Sequence, residues 1–263
     1  MQLLQLSDPH LLADPQGHYR QRRPFRSLQE ALRQVARQPH GLLLISGDLC
    51  QDETWQGYIR LRELLASVEV PVALLPGNHD HPALLRAALG RQAVIAPAVI
   101  ELEGCRLVLL DSHRSGSVGG WIGPRQLAWL AGQLATAPHN PTLVAVHHPP
   151  VPIGDAGMDA IALHDGPALL ALLRPVPGVR AVLFGHVHQH WQGWLPDRPA
   201  ELEPVQLLGC PSTLCAFGPV QPCPLGRAAD PGGRWLQLDA AGGLQQRLLR
   251  WHGVDGTAPS VSG

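Results

Sequence analysis

Seven residues of this chain carry side chains suited to a metal centre, and each stands one to four positions past a short apolar run. Asp8 and His10 follow Leu3 to Leu6, Asp48 follows Leu42 to Ile45, and Asn78 follows Val72 to Leu75. His147 follows Thr142 to Val146, and His186 and His188 follow Arg180 to Phe184. Four imidazoles, two carboxylates and one amide, with no thiolate, form a nitrogen and oxygen donor set that suits zinc, iron, manganese or cobalt. Seven donors are too many for one catalytic ion that keeps an open position, but shared through a bridging carboxylate they suit two. Two ions roughly 3.5–4 Å apart lower the pKa of a water between them and clamp the attacking and departing oxygens of an in-line phosphoryl displacement. His79, beside Asn78 and not itself an obvious ligand, is placed to protonate a departing alkoxide.

These side chains reach one another only if the apolar runs are strands whose carboxyl ends share a rim. The pattern supports that. Strands at Leu3 to Leu6, Leu42 to Ile45 and Val72 to Leu75 alternate with helical periodicity, as in a parallel sheet with right-handed crossovers. The first helix is expected to open on a Ser27-x-x-Glu30 capping box, and the second spans about Thr54 to Ser67. A helix near Pro82 to Leu89 precedes a hairpin, Val99 to Leu102 and Arg106 to Leu110, turned at Glu103-Gly104. Pro124 opens a further helix, and another runs from about Pro167 to Leu173. Short strands near Gln206 to Leu208, Trp235 to Leu238 and Leu244 to Leu249 complete the chain, giving two packed sheets flanked by helices.

Composition limits the partners. With 45% hydrophobic residues in 263, the chain is expected to form a single domain over 1–252, with a flexible Gly/Ser-rich tail at 253–263. A formal net charge of -1 gives no positive field for nucleic acid or an anionic membrane, and no apolar run reaches the roughly 20 residues of a membrane span. All 20 basic residues are Arg, so no Lys nucleophile exists. Five cysteines without a Cys-x-x-Cys pair fit reduced thiols, and with no targeting signal the expected location is the cytoplasm. The expected partner is a small-molecule phosphodiester; a homo-oligomer is compatible with the sequence.

Asp8-x-His10, Gly47-Asp48, Gly77-Asn78-His79-Asp80, His147 and Gly185-His186-Val187-His188, in that order, resemble the calcineurin-like metallophosphoesterase superfamily over nearly the whole chain. Gly77 to Asp80, His147-His148-Pro149-Pro150 and Gly185 to His188 are similar to the class III cyclic-nucleotide phosphodiesterases and their glycerophosphodiesterase relatives. The resemblance implies an α/β fold, a four-layer α/β/β/α sandwich of two mixed sheets. It implies that Asp8, His10, Asp48 and His188 hold one transition-metal ion, and that Asp48, Asn78, His147 and His186 hold the other. Asp48 would then be the bridge and His79 the acid or transition-state stabiliser, with Asn78, His79 and Arg114 against the substrate. Pro9 stands where the family more often has Ser or Thr.

The expected reaction is hydrolysis of 3',5'-cyclic AMP to 5'-AMP by a hydroxide shared between the ions. The alternative substrates are glycerophosphodiesters or assorted small phosphodiesters. Cys210-Pro211-Ser212-Thr213 and Gly233-Arg234-Trp235-Leu236 resemble the cyclic-AMP branch; Asp111 to Trp121 and His147 to Asp159 resemble the other as much. A DNA nuclease is disfavoured by the charge, and a non-catalytic scaffold by the complete ligand set. His148 is expected to support a ligand, while Asp52 and Asp80 either orient His79 or a ligand, or cap the helices that follow them. His113 is open between substrate contact and solvated loop, and His18, His40, His81, His139, His164, His190 and His252 are expected to be surface or structural.

Overall fold

The structure, a computed structural model, describes residues 1–253; the remainder of the tail anticipated at 253–263 lies outside the described residues. The first half lays down β1 (Gln2–Leu6), α1 (Pro24–Val35), β2 (Leu42–Ile45), α2 (Trp55–Leu65), β3 (Val72–Leu74), α3 (Pro82–Leu89) and β4 (Val94–Ile95). Strands β1 to β4 are parallel neighbours. The second sheet is built from β5 (Ala98–Leu102), β6 (Cys105–Leu109), β7 (Thr142–Ala145), β8 (Val179–Phe184), β9 (Trp191–Trp194) and β10 (Gln206–Gly209). Helices α4 (Gly123–Thr136), α5 (Ala156–Asp159) and α6 (Gly166–Leu173) fall between its strands. The last pair, β11 (Gly232–Leu238) and β12 (Leu244–Arg250), returns to the first sheet, antiparallel against β1. The two six-stranded sheets run β12-β11-β1-β2-β3-β4 and β5-β6-β7-β8-β10-β9.

Continuous apolar strands arise because both faces of each sheet are covered. On β2, Leu43 and Ile45 pack toward α1, α2 and α3, while Leu42 and Leu44 face the other sheet. On β8, Val182 and Phe184 pack toward α4 and α6, and Ala181 and Leu183 face inward. Period-two alternation thus feeds two helix-facing cores and one core between the sheets, which is the expected four-layer sandwich. Polar struts bind the sheets. Gln5 Nε2 donates to the Phe184 carbonyl at 3.2 Å, and the fully buried Arg234 donates to the Gly209 and Trp191 carbonyls at 3.0 and 2.9 Å.

Two local expectations fail. Helix α1 begins at Pro24, with Arg23 as its cap and Ser27 buried inside, so Ser27-x-x-Glu30 is no capping box; proline's fixed φ at the first position starts the helix a turn earlier. Glu30 instead accepts from Gln34 at 2.6 Å. Strands β4 and β9 and the one-turn helix α5 are additions to the expected order. Among the described residues no helix is long and apolar enough to cross a membrane.

Candidate metal centre and active site

The carboxyl ends of β1, β2, β3, β7 and β8 meet at one rim along the seam between the sheets. Asp8, His10, Asp48 and His188 present ligand atoms within 4.8 Å of one another, and so do His147, His148 and His186. Asp48 joins the groups: its Oδ2 lies 3.7 Å from His10 Nε2, and its Oδ1 lies 3.4 Å from His147 Nε2. The His79 backbone N–H donates to the same Oδ1 at 3.0 Å, which brings the Asn78-His79 turn onto Asp48.

The backbone is bent to achieve this. Asp8, His10, Asp48, His186 and His188 all have φ between 48° and 66°, the left-handed region that side-chain-bearing residues rarely adopt. Each such residue costs about 1–3 kcal/mol, and strain of this kind collects where function demands a geometry. Glycines supply the clearance. A Cβ at Gly77 would sit 2.1 Å from Asp48 Oδ1, and one at Gly47 would sit 2.1 Å from His147 Nδ1. The Gly preceding Asp48 and the Gly preceding Asn78 are therefore sterically required.

Three of the four candidate imidazoles have Nδ1 fixed by the protein. His147 Nδ1 donates to the Ser46 carbonyl at 2.7 Å, and His188 Nδ1 donates to the Cys215 carbonyl at 3.0 Å. His10 Nδ1 donates to Gln51 Oε1 at 2.7 Å. Their Nε2 atoms are thereby turned inward, the arrangement a metal-ligating histidine needs. His148 differs: Nε2 donates to the Val118 carbonyl at 3.2 Å and Nδ1 meets Ser112 Oγ at 2.8 Å, so both its nitrogens are engaged. It packs against His147 and His186, with ring centroids 4.8 and 4.6 Å away, and buttresses them.

Electrostatics divide the histidines into two kinds. Burial alone would raise the Asp8 and Asp48 carboxyls, yet His188 holds Asp8 below its usual range and His147 holds Asp48 well below it. Burial works to lower His147 and His188, but Asp48 lifts His147 to about 9 and Asp8 lifts His188 to about 10. His10 and His186 are pushed down by burial to about 4 and about 3. In the metal-free protein the two carboxylates thus favour the protonated forms of His147 and His188. His188 Nε2 lies 3.1 Å from His10 Nε2.

The donor set fits cations. Asn78 Oδ1, His147 Nε2 and His186 Nε2 are buried without a hydrogen-bond partner, a costly condition for polar atoms that a cation among them would relieve. The remaining expected residues fall as follows. His79 lies beside Gln51, whose Nε2 is 3.2 Å from His79 Nδ1. Asp80 accepts from the Leu49, Cys50 and Gly77 N–H groups and from Tyr58 Oη, so it clamps the Asp48 and Asn78 loops together and does not orient His79. Asp52 accepts from Ala13 N and caps the turn at Thr54. Arg114 is exposed, stacked 5.8 Å from the Trp121 ring centroid, and lines a separate cavity of about 470 Å³ across the glycine-rich loop from His79. Ser212 Oγ and Thr213 N donate to the Asp8 and Ser7 carbonyls at 2.8 and 3.0 Å, bracing the first loop.

Gln51 escaped the sequence reading. It is the third residue after Asp48, and a glutamine in a loop carries no pattern of its own; the only signal was its nearness to a ligand candidate. The Cys215 carbonyl, a backbone atom, had no signal at all.

An aspartate and histidine cluster at the carboxyl rim of a four-layer sandwich defines a metallophosphoesterase architecture. A sequence model described as calcineurin-like phosphoesterase matches residues 1–190, and the chain belongs to that family. It is 50% identical over 97% of its length to a probable cyclic nucleotide phosphodiesterase of Synechococcus sp. (strain WH7803), covering 98% of that protein. It is 37% identical over 94% of its length to a 3',5'-cyclic adenosine monophosphate phosphodiesterase of Pseudomonas aeruginosa, covering 89% of it. A dimetal phosphatase from Danio rerio shares the fold, with a TM-score of 0.64 at 17% identity over 95% of this chain and 98% of that one.

Proposed function

We propose that this chain is a dinuclear metal-dependent phosphodiesterase that hydrolyses 3',5'-cyclic AMP to 5'-AMP. The reading is carried by the buried, unpartnered Asn78 Oδ1, His147 Nε2 and His186 Nε2, together with the Asp48 carboxylate that stands 3.4 Å from His147 Nε2 and 3.7 Å from His10 Nε2. Asp8, His10, Asp48 and His188 would hold one ion; Asp48, Asn78, His147 and His186 would hold the second. When bound, the pair supplies positive charge for the phosphoryl oxygens and an acidified water as nucleophile.

The chain's own groups do the remainder. Gln51 ties His10 and His79 together: its oxygen accepts from His10 Nδ1, so its amide N–H is free to donate to His79 Nδ1. The His79 N–H then resides on Nε2, where it can hydrogen-bond the departing 3'-oxygen and stabilise the charge that builds there. The Asp48 carboxylate is held in place by the His79 backbone N–H, so this donor and the bridge are set relative to each other by one hydrogen bond. Ser46 and Cys215 carbonyls keep His147 and His188 in the ligating tautomer. The names of the relatives support a cyclic nucleotide as substrate. The five cysteines, all free, agree with a cytoplasmic setting.

Rates of the metal-reconstituted protein on cyclic AMP and on glycerophosphoethanolamine, measured side by side, test this. The reading expects a higher kcat/KM on cyclic AMP; a strong preference for the glycerophosphodiester overturns it.

A further inference from the structure

We propose that the cavity beside His79 seats the nucleobase of the substrate, an inference that rests on the cyclic-nucleotide reading above. The cavity, about 530 Å³, opens against Asn78 and His79, so whatever fills it adjoins the oxygen that His79 would serve. That volume is in the range of sites that enclose small organic ligands.

Part of its lining is apolar. Pro82 and Ala83, at the start of α3, contribute to it, and so does Val118 of the glycine-rich loop. Val118 is 56% exposed, an apolar side chain held outward in a loop that is otherwise well fastened. Its carbonyl accepts from His148 Nε2, and the flanking Ser117 hydroxyl both donates to the Gly119 carbonyl and accepts from the Gly119 N–H. In this fastened loop Val118 gives the cavity an aliphatic wall beside Pro82 and Ala83.

Two histidines add a matched pair of polar edges. His113 Nδ1 donates to the Gly77 carbonyl at 2.9 Å, which leaves a lone pair on Nε2 in the neutral ring. His81 Nδ1 accepts from Leu84 N at the start of α3, which leaves the proton on Nε2. Among the described residues no protein group bonds either Nε2. One acceptor and one donor beside apolar walls suit a planar heterocycle with both functions on its edge. A glycerol or ethanolamine arm would leave the apolar walls uncovered.

Calorimetric titration of 5'-AMP and of base-free ribose 5-phosphate into the metal-loaded full chain tests the assignment. The comparison takes the natural protein, Val118→Glu and Ala83→Trp, both at exposed positions lining the cavity. The preference for 5'-AMP over ribose 5-phosphate is expected to fall by about tenfold in each variant, the scale of losing one covered apolar face. The selectivity of kcat/KM for cyclic AMP over glycerophosphoethanolamine should fall with it. A natural protein that binds both ligands equally, or a preference that survives in both variants, overturns the proposal. Should the natural protein fail to hydrolyse cyclic AMP, the functional reading falls, and the two binding preferences still decide what the cavity holds.

Discussion

The two sheets contribute different chemistry to the same rim. The first, through the ends of β1, β2 and β3, supplies both carboxylates, the Asn78 amide, His10 and His79; the second, through β7 and β8, supplies only His147, His186 and His188. The dependence runs from one to the other. His147 is oriented by the Ser46 carbonyl, the His186 N–H is received by the Asp8 carboxylate at 3.1 Å, and His188 Nε2 stands 3.3 Å from the same carboxylate. Negative charge and orientation come from the first sheet, and the second answers with nitrogen. The centre therefore exists only when the sheets are in register.

Removing the shared charge should have the largest effect. Asp48→Asn keeps the volume but withdraws charge from both groups, and turnover is expected to drop by more than the roughly 10⁴ that a general acid can account for, with metal content falling below two ions per chain. Turnover and elemental analysis of the same preparation check this; retention of both ions and of activity would break the comparison. Next is His79→Ala, on the first sheet but outside the ligand set. It should lose about 10²–10⁴ in kcat with metal content intact, and an unchanged kcat removes His79 from the mechanism.

Gln51→Leu should cost less, about 10–100-fold, measured at saturating metal, because it releases the orientation of His10 and His79 while leaving every donor in place. The smallest effect concerns pH and the metal-free protein. His147 and His188, lifted to about 9 and about 10 by the first sheet's carboxylates, bind more protons folded than unfolded between pH 6.5 and 9. Their contribution is complete below pH 6.5 and is lost as pH rises through 9 to 10. The melting temperature of the chelated protein should thus fall by a few degrees, about 2–4 °C per kcal/mol lost, from pH 7 to 9.5. Metal loading should reverse the trend, since ions displace those protons and bind more tightly as pH rises. A metal-free protein that grows more stable over that range would contradict the pairing.

How much of this could be read in the amino-acid order follows from the same contrast. The ligand candidates were legible because each ends an apolar run: a strand buried on both faces, such as Leu42 to Ile45, leaves no polar side chain until the chain reaches the rim at Asp48. The four-layer arrangement was expected from alternation and resemblance together, and the three cores match it. What stayed hidden is held by backbone or by unpatterned side chains. Nothing in Trp191 to Trp194 announces strand β9, whose Gly193 has no side chain to show alternation. Val94 and Ile95 are too short a run to separate from loop. The misplaced start of α1 shows proline at the first turn overriding a Ser-x-x-Glu match three residues on. Gln51, His113 and Val118 acquire meaning only once the loops after β2, β3 and β6 lie side by side.

Everything turns on whether the rim grips a pair of cations. Elemental analysis of the full chain after reconstitution with manganese or zinc and removal of excess metal, paired with turnover before and after chelation, tests that most directly. The account predicts two equivalents per chain, with activity abolished by the chelator and restored by metal. One equivalent or none, or turnover indifferent to chelation, would contradict it.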